Sequence, residues 1–240
     1  MGEVQAPDRA GHRIVKPFFA RFVLLLALLA SLPLAAAERP GQAAIASAHY
    51  LATEAGHEIL AQGGNAFDAA IAVSAALAVV EPTSSGMGGG AFWLLHRAED
   101  GFQVMVDARE QAPAAAHRDM YLDAEGQVNR DLAVNGPLAG GIPGEAAGLE
   151  HLAQHYGRLP LAASLKPAIR LAREGFPVDE KYHEMMAWRI DVIKRWPAAA
   201  AALLADGENP PVGHVIKLPD LAWVLKHVAE RGAAGFYTGP

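Results

Sequence analysis

The stretch VDAREQAP, residues 106–113, places an arginine between two acids directly after an apolar run. Val104, Met105 and Val106 read as a strand. Asp107, Arg109 and Glu110 follow it, and Pro113 ends any regular ladder. A guanidinium is a rigid fork of paired donors that matches a carboxylate two bonds at a time, which lysine cannot do. At the end of a buried strand, Arg109 can hold a substrate carboxylate. It can equally pair with Asp107, Glu110 or a more distant acid. The spacing leaves both uses open.

The richest glycine cluster, SSGMGGGA at residues 84–91, stands just upstream. It formally fits the dinucleotide-binding pattern with alanine in the last place. That motif works because a strand precedes it and a helix follows, so that a helix N-terminus meets the pyrophosphate. Here the predicted order is helix before and strand after, which argues against a nucleotide. No Gly-Lys-Ser/Thr follows, so there is no P-loop. The glycines then serve either as a tight turn against neighbouring backbone or as a wall of N–H groups lining a small-molecule site.

Other chemistry is thinner. His151 and His155 are four apart on a predicted helix, which is a metal-ligand spacing, but no third ligand stands nearby. They read as a surface pair, and no metal site is expected. His49 and His57 have no supporting pattern. No serine sits in a Gly-x-Ser-x-Gly elbow or a Ser-x-x-Lys pair. The chain has no cysteine, which excludes disulfides, zinc–thiolate sites and cysteine nucleophiles.

The elements that must position these residues can be read from periodicity and turn residues. The 240 residues are 52% hydrophobic and 19% charged, a globular balance with enough length for a sizeable core. The formal charge is −6 with no basic block, so no nucleic-acid partner is expected. Residues 1–37 read as a cleavable secretory signal, with an uncleaved anchor as the alternative: Arg9, Arg13, Lys16 and Arg21, then an uncharged run from Phe22, then Ala35-Ala36-Ala37. The apolar run is too short to span a bilayer, so no stable membrane span is expected after its removal. A net +2 in that segment leaves −8 for residues 38–240. A cysteine-free, acidic, exported protein fits a bacterial periplasm or the medium.

Residues 43–47 predict a first strand and 49–62 a helix ended by Gly63-Gly64. Asn65 is a good N-cap for an almost wholly apolar helix over 66–80, seven of whose 15 residues are alanine. Residues 91–97 and 102–108 predict a hairpin across the turn Ala98–Gly101. Residues 110–142 read as mostly loop. Helices are expected over 145–156, 161–174, 179–195 and 218–231. This is an α/β, layered pattern with fewer strands than its helices would cover.

With these residues laid out, the chain resembles the gamma-glutamyltranspeptidases from about Ala43 to Thr238. The resemblance rests on ILAQGGNAFDAAIAV, EPTSSGMGGGAF, VDAREQAP, GIPGEAAGL and LAREGFPV, five blocks in one order. It implies an Ntn-hydrolase-type αββα sandwich and a proenzyme that cuts itself into a large and a small subunit. The new N-terminal threonine of the small subunit is the nucleophile, with its own α-amino group as base. It cleaves the γ-glutamyl amide of glutathione or a related compound and passes the glutamyl group to water or an amino acid. No cofactor is implied. Arg109 matches the arginine that clamps the α-carboxylate of the substrate.

The resemblance also implies what these residues do not carry. The family's cleavage site sets a threonine beside a second threonine or a serine, then histidine. Thr53, Thr83 and Thr238 are the only threonines here, and none has that neighbourhood. Residues 38–240 are thus expected to be the N-terminal portion of a large subunit. The catalytic threonine would lie elsewhere, the sandwich would be incomplete in this chain, and the small subunit would be its partner. Two other readings stay open: a catalytically inactive binding protein, and a cephalosporin-acylase-like Ntn relative.

Overall fold

The computed structural model describes residues 43–238. The signal segment expected at residues 1–37 lies outside the described residues. From Ile45 onward the chain forms one compact unit. Among the described residues, no helix is long and apolar enough to cross a membrane.

Helices α1 (Tyr50–Ala61) and α2 (Ala66–Val80) make the first layer. His49 caps α1: its Nδ1 accepts the Leu51 N–H. Gly63 takes a φ of +90° just past the end of α1, a conformation that costs glycine little. Asn65 opens α2 with a full capping box. Its side chain accepts from Phe67 and Asp68 N–H, and the Asp68 carboxylate accepts the Asn65 N–H in return. Alanine along α2 allows close approach. A Cβ on Gly56 of α1 would sit 2.8 Å from Val73 Cγ2 and 2.6 Å from Ile45 Cδ1.

The hairpin forms as predicted. β1 (Ala91–Arg97) pairs antiparallel with β2 (Phe102–Ala108), with Ala91 opposite Ala108 and Arg97 opposite Phe102. Gly101 turns the chain at φ +71°. Arg97 pairs with Asp100, and together with the Phe102 N–H it holds that carboxyl down at about 2. One face of the hairpin, carrying Trp93, Leu95, Val104, Val106 and Ala108, packs on the core. The other face shows Phe92, Leu94 and Met105 to solvent, 53, 81 and 63% exposed.

A long connection follows, holding α3 (Arg130–Asn135) and a 3₁₀ turn (Pro137–Ala139). Then come α4 (Glu145–His155), α5 (Leu161–Glu174), β3 (Phe176–Pro177), α6 (Glu180–Ala187), α7 (Ile190–Lys194), α8 (Pro197–Leu203), β4 (Val215–Ile216), α9 (Pro219–Arg231) and α10 (Ala234–Tyr237). The two-residue strands β3 and β4 pair with each other. α2 packs on α1, α4 and α5, and α9 covers α5. Ile59, Ile71, Leu149, Leu152, Leu165 and Leu225 are fully buried between these helices. Each such burial is worth about 2 kcal/mol, so the helical layer, not the two short sheets, holds the body together.

Two expectations change and a third is refined. Residues 43–47 form no strand, because the run docks through the Ile45 side chain on Gly56 rather than through a backbone ladder. The helix expected over 179–195 is two helices. The N–H groups of Trp188 and Arg189 bond three residues back, to Met185 and Met186 carbonyls, and this tightening ends α6. The 110–142 loop contains α3, which Asn129 caps.

Candidate functional site

Arg109 begins where β2 ends. The Asp107 carboxylate accepts the Arg109 backbone N–H at 3.0 Å, so this acid turns the chain instead of pairing with the guanidinium. Two residues on, Gln111 and Ile142 exchange both backbone hydrogen bonds, 3.0 and 2.8 Å long. The Arg109 backbone is thus pinned on each side while its side chain is exposed. Among the described residues, the guanidinium makes no hydrogen bond and no ion pair. Neither Glu110 nor a distant acid takes it. Of the two uses that spacing left open, the ion pair is not the one present.

Two open clefts meet at this arginine. The first, of about 620 Å³, runs along β2 from Val104 and is lined by Gly144, Gly148, His151, Tyr156 and Tyr237. The second, of about 570 Å³, is lined by Gly88, Glu110, Met120, Tyr121 and Gly140. Among the described residues, only Arg109 and Gln111 face both.

Glycines bring the surrounding backbone in. The loop after α2 runs straight into β1, helix before and strand after, so it has none of the geometry of a dinucleotide site. A Cβ on Gly90 would collide with the Ala108 carbonyl and sit 2.8 Å from Arg109 Cα. One on Gly144 would strike the same carbonyl and lie 2.7 Å from the Arg109 carbonyl oxygen. These two glycines bracket Ala108–Arg109 from opposite segments. The Gly89 carbonyl then accepts both the Gly144 and Glu145 N–H groups, at 3.0 and 3.2 Å. Close approach therefore explains Gly90 and Gly144, while Gly88 lines the second cleft.

Glu145 is a neighbour of the candidate site that sequence reasoning missed. It is 4% exposed at the first position of α4, and Ser74 Oγ donates to its Oε1 at 2.7 Å. Burial holds its carboxyl above the ordinary carboxylate range. The Ser74 hydroxyl partly offsets this, and the nearby charge of Glu110 adds to it. An acid in the first turn of a helix is an ordinary signal; its burial was not legible from the sequence. Tyr156 and Tyr237 line the first cleft, and no motif marked them. Tyr237 is held by its hydroxyl donating to the Pro143 carbonyl at 2.7 Å.

His151 and His155 lie on one face of α4, as their spacing predicts. Their rings stack at 4.2 Å rather than converging on a point, and His155 Nδ1 lies 2.9 Å from the His151 carbonyl. Among the described residues, no group of three or more His, Asp or Glu is placed to hold a metal ion.

The chain has clear relatives. A family model described as gamma-glutamyltranspeptidase matches residues 52–240. The glutathione hydrolase proenzyme of Escherichia coli K12 is 35% identical over 246 residues, covering 94% of this chain and 42% of that protein. The crystal structure of Helicobacter pylori gamma-glutamyltranspeptidase superposes with a TM-score of 0.78 at 35% identity, covering 82% of this chain and 58% of that one. A cephalosporin acylase from Bacillus halodurans superposes less closely, with a TM-score of 0.67 at 31% identity, covering 84% and 41%. The chain spans roughly a third to two fifths of the length of the curated relatives it matches. The match covers the hairpin, the glycine loop and the Arg109 turn alike, and on it the chain belongs to the gamma-glutamyltranspeptidase family.

Proposed function

We propose that this chain is the substrate-clamping part of a gamma-glutamyltransferase or glutathione hydrolase, and that Arg109 binds the α-carboxylate of the γ-glutamyl group. One observation carries the reading. Arg109 is exposed, unpaired among the described residues, and set between two clefts on a backbone fixed from both sides. A free guanidinium on a rigid mount is already oriented for a carboxylate, so little ordering entropy is lost on binding.

In this reading a threonine outside these 240 residues is the nucleophile. Its hydroxyl oxygen attacks the γ-amide carbon, and its proton passes by way of the α-amino base to the leaving amine. The C–N bond breaks and a γ-glutamyl ester remains. Water or the amine of an acceptor then takes the acyl group. The residues of this chain hold and orient the donor, and none of them reacts.

The small subunit is the proposed partner, and the exposed apolar face of the hairpin supports this. Phe92, Leu94 and Met105 make an apolar strip on a two-stranded sheet, the kind of surface that a second sheet covers. Covering it would complete an αββα sandwich. Residues 1–37 as a secretory signal, and export to the periplasm or medium, belong to the same reading. The acylase-like alternative is less favoured by the lower TM-score of that structure, and by an arginine suited to a donor with a free α-carboxylate.

The test pairs protein and substrate. In the full-length gene product, kcat/KM is measured for γ-glutamyl-p-nitroanilide and for its analogue lacking the α-carboxylate, with wild type and Arg109→Ala. The expected result is strong non-additivity: once the arginine is gone, losing the carboxylate costs nothing further. Additive losses would refute the clamp.

A further inference from the structure

We propose that Ser74 and Glu145 act as a positioning pair that fixes the backbone carrying Arg109, without touching substrate. The functional part of this inference rests on the clamp reading above.

A glutamate at the first position of a helix gains from the helix dipole while exposed to water. Glu145 is buried instead, which costs free energy unless its oxygens find donors. The Ser74 hydroxyl supplies one from the middle of α2, 71 residues away in sequence. Apart from Asp68 at its start, Ser74 is the single polar side chain of that helix. The two residues therefore tie the start of α4 to the most buried helix of the body.

The start of α4 in turn holds two other segments. Its Gly144 and Glu145 N–H groups grip the Gly89 carbonyl of the glycine loop. Gly144 lies directly on the Ala108–Arg109 backbone, and Gly90 lies on it from the loop side. Four residues further along α4, Gly148 packs against Trp93 and Ala108. The Gly144 contact on the Arg109 backbone and the two bonds to Gly89 thus both lie at the start of α4, and the Ser74–Glu145 bond anchors that start. Among the described residues, two groups act on the carboxyl: Ser74 from α2 by its hydrogen bond, and Glu110 from the chain after β2 by its charge. The serine donates to the carboxyl in either protonation state, so an amide oxygen at the same place can replace it.

The experiment uses the full-length gene product with Ser74→Ala, Glu145→Ala and Glu145→Gln. Hydrogen exchange is read by mass spectrometry over residues 86–91 and 107–112, and steady-state kinetics are run on a γ-glutamyl substrate. Ser74→Ala and Glu145→Ala should raise exchange in both segments by about tenfold, the equivalent of one net hydrogen bond. KM should rise by about 3- to 10-fold, with kcat within about 2-fold. Glu145→Gln should restore both readouts. If Glu145→Ala does not fold, the less disruptive Ser74→Ala decides. Unchanged exchange in Ser74→Ala overturns the pair, even where Arg109→Ala raises KM. Raised exchange while Arg109→Ala leaves KM unchanged overturns the clamp instead, and upholds the pair as the anchor of this junction.

Discussion

Asp68 and Arg109 are charged residues at opposite extremes of this molecule. The Asp68 carboxylate is fully buried at the start of α2 and accepts backbone N–H groups from Asn65, Arg158 and Leu159. Asn65 adds a bond from its amide to the Tyr156 carbonyl. One capping box thereby locks the turn between α4 and α5. Arg109 is exposed, and its fork meets no partner among the described residues. The contrast also holds among arginines. Arg170 pairs with Glu58, and Arg195 grips both oxygens of Asp131. A charge whose role is scaffold is satisfied inside the chain, because an unpaired buried charge is expensive. The Arg109 charge is instead left open among the described residues, on a backbone that is held from both sides.

Four measurements press on this contrast. The largest effect belongs to Asp68→Ala, which strands several buried N–H groups at once. It should cost about 3–5 kcal/mol in urea-monitored unfolding. A loss below about 1 kcal/mol would mean that the buried carboxylate is not scaffold. Next comes Arg109→Ala in the full-length product. It should raise KM for a γ-glutamyl donor by about 100-fold, equivalent to about 2.7 kcal/mol of binding. Arg109→Lys should recover only part of this, and neither variant should shift Tm.

A smaller effect is expected at Glu145. Its carboxyl sits above the ordinary value in the folded chain, chiefly through burial. The folded state therefore holds this proton more tightly than the unfolded chain does. That contribution is fully present below the ordinary glutamate pKa and is lost as pH rises through the raised one. Stability should fall from about pH 4 towards neutrality for this group, and Glu145→Gln should flatten that slope and stabilise the protein at neutral pH. An unchanged slope would mean that the carboxyl is better solvated than its burial indicates. The smallest effect is Arg170→Ala, where an exposed pair is lost. It should change stability by no more than about 0.5 kcal/mol and vanish in high salt. A larger loss would blur the line between scaffold and surface charge.

Much of the fold follows from local rules acting on the sequence. Asn65 three residues before Asp68, the alanine run to Val80, and a glycine at each turn specify α2, the end of α1 and the hairpin register directly. The sequence also put Arg109 at the end of the second hairpin strand, where the structure has it. What the sequence could not settle is whether a neighbouring acid takes the guanidinium. Asp107 and Glu110 are as close in sequence as an ion pair needs. Only the folded chain shows that Asp107 spends its carboxylate on the Arg109 N–H and that the guanidinium stays open. Residues 43–47 misled for a related reason: apolar patterning marks burial, but a strand exists only where another strand lies alongside. Glu145 is the clearest case. An acid in a helix's first turn looks ordinary, and its burial against Ser74 depends on two helices meeting across 71 residues. Periodicity, capping and turn chemistry act within a few residues, so the sequence by itself determined the elements. Burial, partner choice and the freedom of Arg109 arise from contacts between distant segments, and only the tertiary structure decided them.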